Sequence, residues 1–280
     1  MDDYNGMNVN INKNLSIWID ELKSKNLNTI IYSLSDINYK KRFDEMISTF
    51  DVPNACFAMC AFDKETYNYF LNKNIPTILL DKENNNFNHL VCISKFLITY
   101  VLLKNGFNVI MSEADIFWKV DVNKLFEKDF SDLLVSKHTY SDEVNIGFYK
   151  VITNKNTINF FENLNFWIFD KNSGYKEKVF EKIFLKRLPH KAADQKIFDC
   201  ALRHCNNTKL LPANYFFSQE SYNKLQRITL NWKYIECEIL MHWPITYPNN
   251  YKGVHIWSGF SKIPEKQIEH AHYYKWYYNK

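Results

Sequence analysis

Short apolar segments alternate with segments of helical spacing in the first half of the chain, and this alternation constrains the fold more than any other feature. The apolar segments are rich in β-branched and buried-type residues and span Thr29–Ser35, Ala55–Ala61 and Ile75–Leu80. The segments with helical spacing cover residues 15–26, 39–50, 64–73 and 89–104. Continuous apolar runs indicate strands that are buried on both faces. Their alternation with helices predicts βαβ units and an α/β fold built on a mostly parallel sheet.

The segment Gly106–Trp118 carries the clearest chemical signal. An apolar strand runs up to Ser112 and is followed by two carboxylates, Glu113 and Asp115. Residues i and i+2 of an extended chain point to the same face, so the pair is predicted to converge at the carboxyl end of a buried strand. Open α/β sheets bind their ligands there. Two hard oxygen donors suit Mg²⁺ or Mn²⁺, and such a cation suits a diphosphate; the alternative is a strand followed by an acidic turn.

The second half of the chain alternates less regularly. Strands are predicted at 132–136 and 145–151, helices at 154–169, 176–186 and about 192–204, and short strands around 239–243 and 253–262. Two caps are predicted in the first half, with Asp63 before a helix and Gly106 after one. We expect one domain over residues 1–280, with an α/β nucleotide-binding half at about 27–120, an α+β half at about 121–265 and an aromatic tail at 266–280.

The composition excludes several classes of protein. Apolar residues make up 46% of the 280 residues, so a large core is available and extensive disorder is not expected. The formal charge is only +4 and no basic run stands out, so no nucleic-acid partner is expected. The N-terminus lacks the apolar segment of a signal peptide, and the most apolar run, Phe96–Leu103, is too short to span a bilayer. We expect a soluble, cytoplasmic protein without a transmembrane segment.

The six cysteines form no Cys-x-x-Cys pair, and most of them lie within apolar patterns. Buried free thiols in a reducing compartment are the favoured interpretation. A zinc site at Cys200, His204 and Cys205 is the alternative, but the spacing of these residues matches no usual zinc pattern.

Four spaced motifs lead to a known family. They are the Glu113/Asp115 pair, Asn145-Ile146-Gly147-Phe148, Asp194-Gln195 and His255-x-x-x-Gly259-x-x-Lys262. Together with the Ile-Pro strand and a helix that carries Lys95, their order over about residues 29–262 resembles the nucleotide-diphospho-sugar transferases with a GT-A fold. The resemblance is strongest to the group that contains plant cell-wall xylosyltransferases and arabinosyltransferases.

The resemblance implies a GT-A-like, Rossmann-type nucleotide-binding fold with a mixed central sheet. It also implies that the half at about 27–120 binds the donor nucleotide and that the half at about 121–265 binds the acceptor or sugar. It also implies a metal-dependent glycosyltransferase that moves xylose, galactose or glucose from a UDP-sugar to a glycan acceptor, with Mn²⁺ or Mg²⁺ as cofactor. Retention of the anomeric configuration is slightly favoured over inversion. In an inverting enzyme, Asp194 would be the general base.

The resemblance also implies a set of site residues. The metal ligands would be Glu113, Asp115 and His255, with His242 as a competing ligand. The catalytic residues would be Asp194 and Gln195. The residues that bind the donor would be Tyr32, Ser33, Leu34, Lys95, Glu113, Ala114, Asp115, Asn145, Gly147, Gly259 and Lys262.

Several of these residues have a plainer alternative. Glu113 stands where the family usually has the first Asp of Asp-x-Asp, so metal, ribose and a bridging water all remain open as its partner. Tyr32 suits a core position equally well. Asp194 suits a helix N-cap, and Asn145 suits a turn.

Two other functions remain open at this stage. One is a non-catalytic carbohydrate- or nucleotide-binding protein on the same scaffold. The other is a nucleotidyltransferase, which normally needs a glycine-rich phosphate loop that Ser33–Asp36 does not provide. The aromatic tail is expected to pack on the domain, with an acceptor site or a peripheral membrane contact as its alternative roles.

Overall fold

The structure of the protein is a computed structural model. It describes residues 9–49, 57–80, 87–118, 120–137, 144–169, 193–207, 219–235, 240–243 and 252–256. The helix predicted at 176–186, the residues Gly259 and Lys262, and the aromatic tail all lie outside these ranges.

Ten strands are present among the described residues. They are β1 Thr29–Ser35, β2 Phe57–Ala61, β3 Thr77–Leu79, β4 Asn108–Ser112, β5 Ile116–Trp118, β6 Leu133–Lys137, β7 Val144–Val151, β8 Trp232–Ile235, β9 Leu240–Trp243 and β10 Gly253–Ile256. The α-helices of the same ranges are α1 Val9–Ser24, α2 Lys40–Thr49, α3 Lys64–Leu71, α4 Phe87–Lys104, α5 Val122–Leu125, α6 Lys155–Phe169, α7 Ala193–His204 and α8 Gln219–Gln226. Short 3₁₀ turns cover Ile37–Tyr39 and Cys205–Asn207.

Seven strands form the central sheet, in the order β3-β2-β1-β4-β7-β6-β8. The pairs from β3 to β4 are parallel, β7 is antiparallel to both β4 and β6, and β8 is parallel to β6. A second sheet has the order β5-β10-β9. The predicted α/β class with a mixed central sheet is therefore confirmed.

The strand order reverses direction between β1 and β4. The chain steps outward from β1 through β2 to β3, and then returns to place β4 on the other side of β1. Because helices that leave neighbouring strands diverge at such a point, the carboxyl ends of the two strands border a crevice. The topology therefore marks the ends of β1 and β4, near Ser35 and Ser112, as the place where a ligand can bind.

The core lies on both faces of the central sheet. Alternate residues of β1 divide between two hydrophobic clusters, with Ile30 and Tyr32 in one and Ile31 in the other, as the two-residue period of a strand requires. Helices α1, α4, α6 and α7 contribute to the cluster of Tyr32, whereas α2 and α3 contribute to the cluster of Ile31. The sheet is thus covered by helices on both sides.

The local signals of the first half match the structure closely. Asp63 is the N-cap of α3, since its Oδ1 accepts the Thr66 N–H at 2.7 Å. Gly106 follows α4 with φ of +90°, a left-handed conformation that glycine adopts without strain. Of the helices in the described ranges, none combines the length and the apolar character that crossing a bilayer requires.

Candidate active site

Lys95 is the centre of a cluster of three charged side chains. It lies within α4, and its Nζ is 2.7 Å from Oε1 of Glu113 and 2.8 Å from Oδ2 of Asp194. The side chains of Lys95 and Asp194 are only 3% and 5% exposed, whereas that of Glu113 is 40% exposed. One ammonium group therefore joins a buried carboxylate to a carboxylate that reaches solvent.

Asp194 reaches this cluster from the first turn of α7. The backbone N–H of Gln195 donates to its Oδ1 at 2.9 Å, while its Oδ2 faces Lys95. Burial raises the pKa of Asp194, and Glu113 adds to that effect, while Lys95 and the Gln195 N–H oppose it; the net shift is upward. The structure thus brings together Lys95, Glu113 and Asp194, which lie far apart in the sequence and were each named from it.

Glu113 and Asp115 lie in a turn and not along one extended strand. The strand β4 ends at Ser112, and the N–H of Ile116 donates to the carbonyl of Glu113 at 3.3 Å. The extended conformation predicted for this pair at the end of the strand is therefore wrong. The physical reason is that the chain leaves the seven-stranded sheet after β4 and enters the three-stranded sheet at β5.

The turn separates the environments of its residues. Glu113 contacts Lys95, whereas Asp115 is 6% exposed and so is Ala114 between them. Asp115 immediately precedes β5, and Ala114 packs in the cluster of Ile31. The acidic pair thus supplies one half-exposed and one nearly buried carboxylate at the carboxyl end of β4.

Asn145 and Gly147 meet the same turn from β7. The N–H of Gly147 donates to Oδ1 of Asn145 at 2.9 Å, and the Gly147 carbonyl accepts the N–H of Glu113 at 2.7 Å. The register of β7 against β6 shifts here, because Asn145 pairs with Ser136 while Tyr149 pairs with Val135. The irregular segment of β7 therefore holds the backbone of Glu113 directly.

The three donor-binding candidates of β1, Tyr32, Ser33 and Leu34, differ in their burial and contacts. Tyr32 is fully buried in the core, and Ser33 is 1% exposed with its hydroxyl donating to the carbonyl of Ser112. Leu34 is half-buried and packs against the core. Of the two alternatives for Tyr32, the structure places its side chain in the core.

The two candidate histidines have neighbouring backbone positions. The antiparallel pairing of β10 with β5 aligns His255 with Ile116, the residue after Asp115. The parallel pairing of β10 with β9 aligns His255 with His242. Within the described part of the chain, no three His, Cys, Asp or Glu side chains come together as a metal site would require. The zinc interpretation of Cys200 and Cys205 gains no support, since both are buried free thiols.

Sequence reasoning missed the polar layer beneath Lys95. The hydroxyls of Tyr32, Thr99 and Tyr149 lie within hydrogen-bonding distance of one another, and those of Tyr32 and Tyr149 also reach the Lys95 carbonyl. A signal for it existed, because a tyrosine inside an apolar strand needs a partner for its hydroxyl. The sequence could not say which partner that would be.

Comparison with known families identifies the chain. The sequence profile of the nucleotide-diphospho-sugar transferases matches residues 56–243, well over half of the chain. The chain belongs to this family. The resemblance stated from the motifs is therefore confirmed, and this nucleotide-diphospho-sugar transferase has the GT-A-like fold expected of it. Comparison with curated proteins finds no match.

Several solved structures are similar to this transferase at low sequence identity. A glycosyltransferase involved in the glycosylation of the major capsid of PBCV-1 is 10% identical with a TM-score of 0.45, and the match covers 87% of this chain and 98% of that one. The apo form of GlyE from Streptococcus pneumoniae is 13% identical with a TM-score of 0.47, covering 88% and 60%. Mouse xyloside xylosyltransferase 1 is 7% identical with a TM-score of 0.39, covering 81% and 97%.

Proposed function

We propose that this chain is a metal-dependent glycosyltransferase that moves a neutral sugar from a UDP-sugar to a glycan acceptor. Xylose, galactose and glucose are the donor sugars we favour. The observation that carries the proposal is the contact of Lys95 with both Glu113 and Asp194, formed at the carboxyl end of β4 where the strand order reverses. Family membership supports a nucleotide-sugar donor.

Asp194 and Gln195 are proposed to hold the donor sugar at its reacting carbon. When the bond from the anomeric carbon to the diphosphate oxygen breaks, positive charge develops on the sugar ring. A carboxylate held in a fixed place stabilises that charge most effectively when little water can screen it. The burial of Asp194 supports this role, and Asn145 and Gly147 lie beside Glu113 at the same end of the sheet.

Asp115 and His255 are proposed to hold the Mn²⁺ or Mg²⁺ ion. A carboxylate and an imidazole are donors that suit Mn²⁺, and the backbone of position 255 is aligned with the residue that follows Asp115. Glu113 is less suited to be a direct ligand, because Lys95 already occupies one of its oxygens. When bound, the cation would offset the negative charge that develops on the leaving diphosphate. Lys262 would add a positive charge there.

Retention of configuration is the stereochemical outcome we favour. In that case the acceptor hydroxyl approaches from the side of the departing diphosphate. The new bond forms between the acceptor oxygen and the anomeric carbon, the bond to the diphosphate oxygen breaks, and the acceptor proton passes to the released diphosphate. The ion pair of Asp194 with Lys95 supports this choice, because a carboxylate engaged in that way is a weaker candidate for a general base.

The decisive experiment is a comparison of Asp115→Asn with the wild type. Removal of one electrostatic stabiliser from an active site typically costs a factor of about 100 to 1000 in kcat, so we expect a loss of that order in transfer and in donor hydrolysis. EDTA should silence the wild type, and added Mn²⁺ should restore it. The measurement is product formation over a panel of UDP-sugars.

Asp121→Asn is the matched control, because Asp121 lies six positions further along and caps α5. Asparagine is also a good N-cap, so this variant should keep its activity. Near-normal transfer by Asp115→Asn would contradict the metal role. Binding of UDP and Mn²⁺ in calorimetry without any turnover would instead favour a non-catalytic binding protein.

A further inference from the structure

The layer beneath Lys95 contains three hydroxyl groups from three different elements. The Tyr32 hydroxyl of β1 is 2.9 Å from Oγ1 of Thr99 on α4 and 3.2 Å from the Tyr149 hydroxyl of β7, and Thr99 and Tyr149 are 2.8 Å apart. Tyr32, Tyr149 and Thr99 are all completely buried. We call this set the hydroxyl cluster. Because no bulk water reaches it, each hydroxyl depends on the others and on nearby protein atoms for its hydrogen bonds.

The hydroxyl cluster is attached to the backbone of Lys95. The Tyr32 hydroxyl donates to the Lys95 carbonyl at 2.6 Å, and the Tyr149 hydroxyl lies 3.3 Å from the same oxygen. This carbonyl belongs to the residue whose ammonium group contacts Glu113 and Asp194. A displacement of this backbone therefore moves the ammonium group relative to both carboxylates.

Tyr149 also touches the helix that carries Asp194. Its ring stacks on Phe198 of α7 at a centroid distance of 5.8 Å, and Phe198 lies one helical turn after Asp194. Phe198 also stacks on Phe96, the residue after Lys95, with the ring centroids 5.6 Å apart. One tyrosine of β7 thus contacts the residue that supplies the ammonium group and the helix that supplies the buried carboxylate.

The pKa of Tyr149 is affected by the charges of Lys95 and Glu113, which agrees with the position of Tyr149 near both. Burial raises the pKa of Tyr149 to about 12, while hydrogen bonds to Thr99 and Tyr32 and the charge of Lys95 act to lower it. The charge of Glu113 acts to raise it. The Tyr149 hydroxyl therefore stays protonated at any physiological pH, and it lies within the electrostatic range of Lys95 and Glu113.

We propose that Tyr32, Thr99 and Tyr149 are positioning residues for sugar transfer, which fix Lys95 at the place where its ammonium group bridges Glu113 and Asp194. The proposal rests on the function proposed above for Lys95, Glu113 and Asp194. It gives Tyr32 a role different from a contact with the nucleotide, because its hydroxyl is engaged with Lys95, Thr99 and Tyr149 inside the core. Tyr149 and Thr99 gain a role that the motifs did not suggest.

Two substitutions remove a single hydroxyl with little change in shape. Tyr149→Phe keeps the ring between Phe161 and Phe198, and Thr99→Val keeps a β-branched side chain in α4. A small misplacement of a catalytic group has a large effect on the rate, so we expect kcat for transfer to fall roughly tenfold in each variant. The Kd for UDP should not change, because all three hydroxyl-bearing side chains are enclosed in the core and none is open to a ligand. The measurements are steady-state kinetics and calorimetry with UDP.

Tyr100→Phe is the matched control on the same helix. Tyr100 is also buried, but its hydroxyl donates to Glu162 at 2.8 Å and not to the hydroxyl cluster. This variant should retain the kcat of the wild type. Thr99→Ser restores the missing hydroxyl and should recover most of the rate that Thr99→Val loses.

Testing Tyr149→Phe in a Lys95→Arg variant separates a positioning role of Tyr149 from a general effect on stability. In Lys95→Arg the bridging atom has already moved, so adding Tyr149→Phe should reduce kcat by much less than tenfold. An equal loss in both backgrounds, or an unchanged kcat with a lower melting temperature, would overturn the positioning role. A wild type that binds no UDP and turns over no donor would instead overturn the proposed function itself.

Discussion

Lys95 contacts two carboxylates with one positive charge, and this imbalance has a chemical consequence. When Glu113 and Asp194 are both ionised, the trio carries a net negative charge. A buried charge is expensive unless it is paired, and within the described part of the chain one ammonium group serves both carboxylates. The excess negative charge lies where a sugar with developing positive charge can use it, which fits the role proposed for Asp194.

The raised pKa of Asp194 predicts how activity depends on pH. Burial is the main cause of the shift, with Lys95 and Glu113 as the charged groups that face this carboxylate. We expect kcat to fall on acidification at a pH higher than the ordinary carboxyl value of 3.8, because the role of Asp194 requires its ionised form. The measurement is kcat against pH at saturating donor, and an acid limb at or below the ordinary value would contradict it.

The same shift predicts the sign of a stability effect. A carboxyl whose pKa is higher in the folded state stabilises that state most below its unfolded pKa, and this contribution is lost as the pH rises through the folded pKa. Asp194→Asn cannot ionise, so the difference in free energy of unfolding between variant and wild type should grow in favour of the variant as pH rises from 4 towards neutrality. Urea denaturation at several pH values tests the sign.

Sequence reasoning reached these residues one by one but not as a set. Lys95, Glu113, Asp194 and Asn145 were all named from motifs. Their contacts join segments far apart in the chain, and a local pattern holds no information on which distant side chain neutralises a given charge. For the same reason the bridging position of Lys95 became visible only in the fold.

At the level of helices and strands, the sequence predicted an element correctly where its capping residues and its apolar pattern both indicate that element. Three parallel strands of the first half were predicted because each is a continuous apolar run. The strand β8, Trp232–Ile235, was missed, since it lies at the edge of the sheet and only its last residue is buried. The helix α8 was missed because Gln219–Gln226 is largely polar. Edge elements depend on tertiary pairing more than on their own sequence.

Asp63 offers a test of how much one cap contributes. Its Oδ1 accepts the Thr66 N–H at 2.7 Å, and its Oδ2 accepts the N–H of Ile37 at 2.8 Å. Asp63→Ala removes the cap of α3 and also the acceptor for the segment that follows β1. We expect a loss of about 2 kcal/mol in the free energy of unfolding, above the typical 1 kcal/mol for a cap alone.

Asp121→Ala is the comparison, because Asp121 caps α5 through the N–H groups of Asn123 and Lys124 and, among the described residues, accepts no backbone N–H from outside that helix. Its cost should stay near the typical value for a cap of about 1 kcal/mol. Urea denaturation of both variants gives the two numbers. A cost for Asp63→Ala no larger than that for Asp121→Ala would show that the contact with Ile37 adds nothing.

At the scale of the whole molecule, the site lies where parallel strand pairing gives way to antiparallel pairing within the central sheet. The strand β4 pairs in parallel with β1 on one side and antiparallel with β7 on the other. The parallel side follows from alternating strands and helices, which the sequence displays. The antiparallel side, with its irregular segment at Asn145–Phe148, depends on long-range pairing. Hence the end of β4 could be singled out from the sequence, and so could Asn145 of β7 and Asp194 of α7 as candidate residues, whereas the contacts that these residues make could not.

Burial of weak acids throughout the core predicts that alkaline pH destabilises the protein. Burial raises the pKa values of Tyr32 and Tyr149 above 10.0 and those of Cys60 and Cys205 above 9.0. Above these ordinary values the unfolded chain releases protons that the folded chain keeps. The free energy of unfolding should therefore fall by about 1.4 kcal/mol per pH unit for each such group. Burial lowers the pKa of Lys150, so this one group acts in the opposite direction.

Urea denaturation between pH 8 and 11, followed by circular dichroism, measures this slope. Cys60→Ala removes one of the titrating groups and should make the decline above pH 9 shallower by about 1.4 kcal/mol per pH unit, whatever its effect on stability at neutral pH. Met59→Leu is the matched control, because Met59 is the buried neighbour of Cys60 in β2 and does not titrate. Its curve should run parallel to that of the wild type. A slope that Cys60→Ala leaves unchanged would mean that this thiol ionises equally well in the folded protein, which its complete burial opposes.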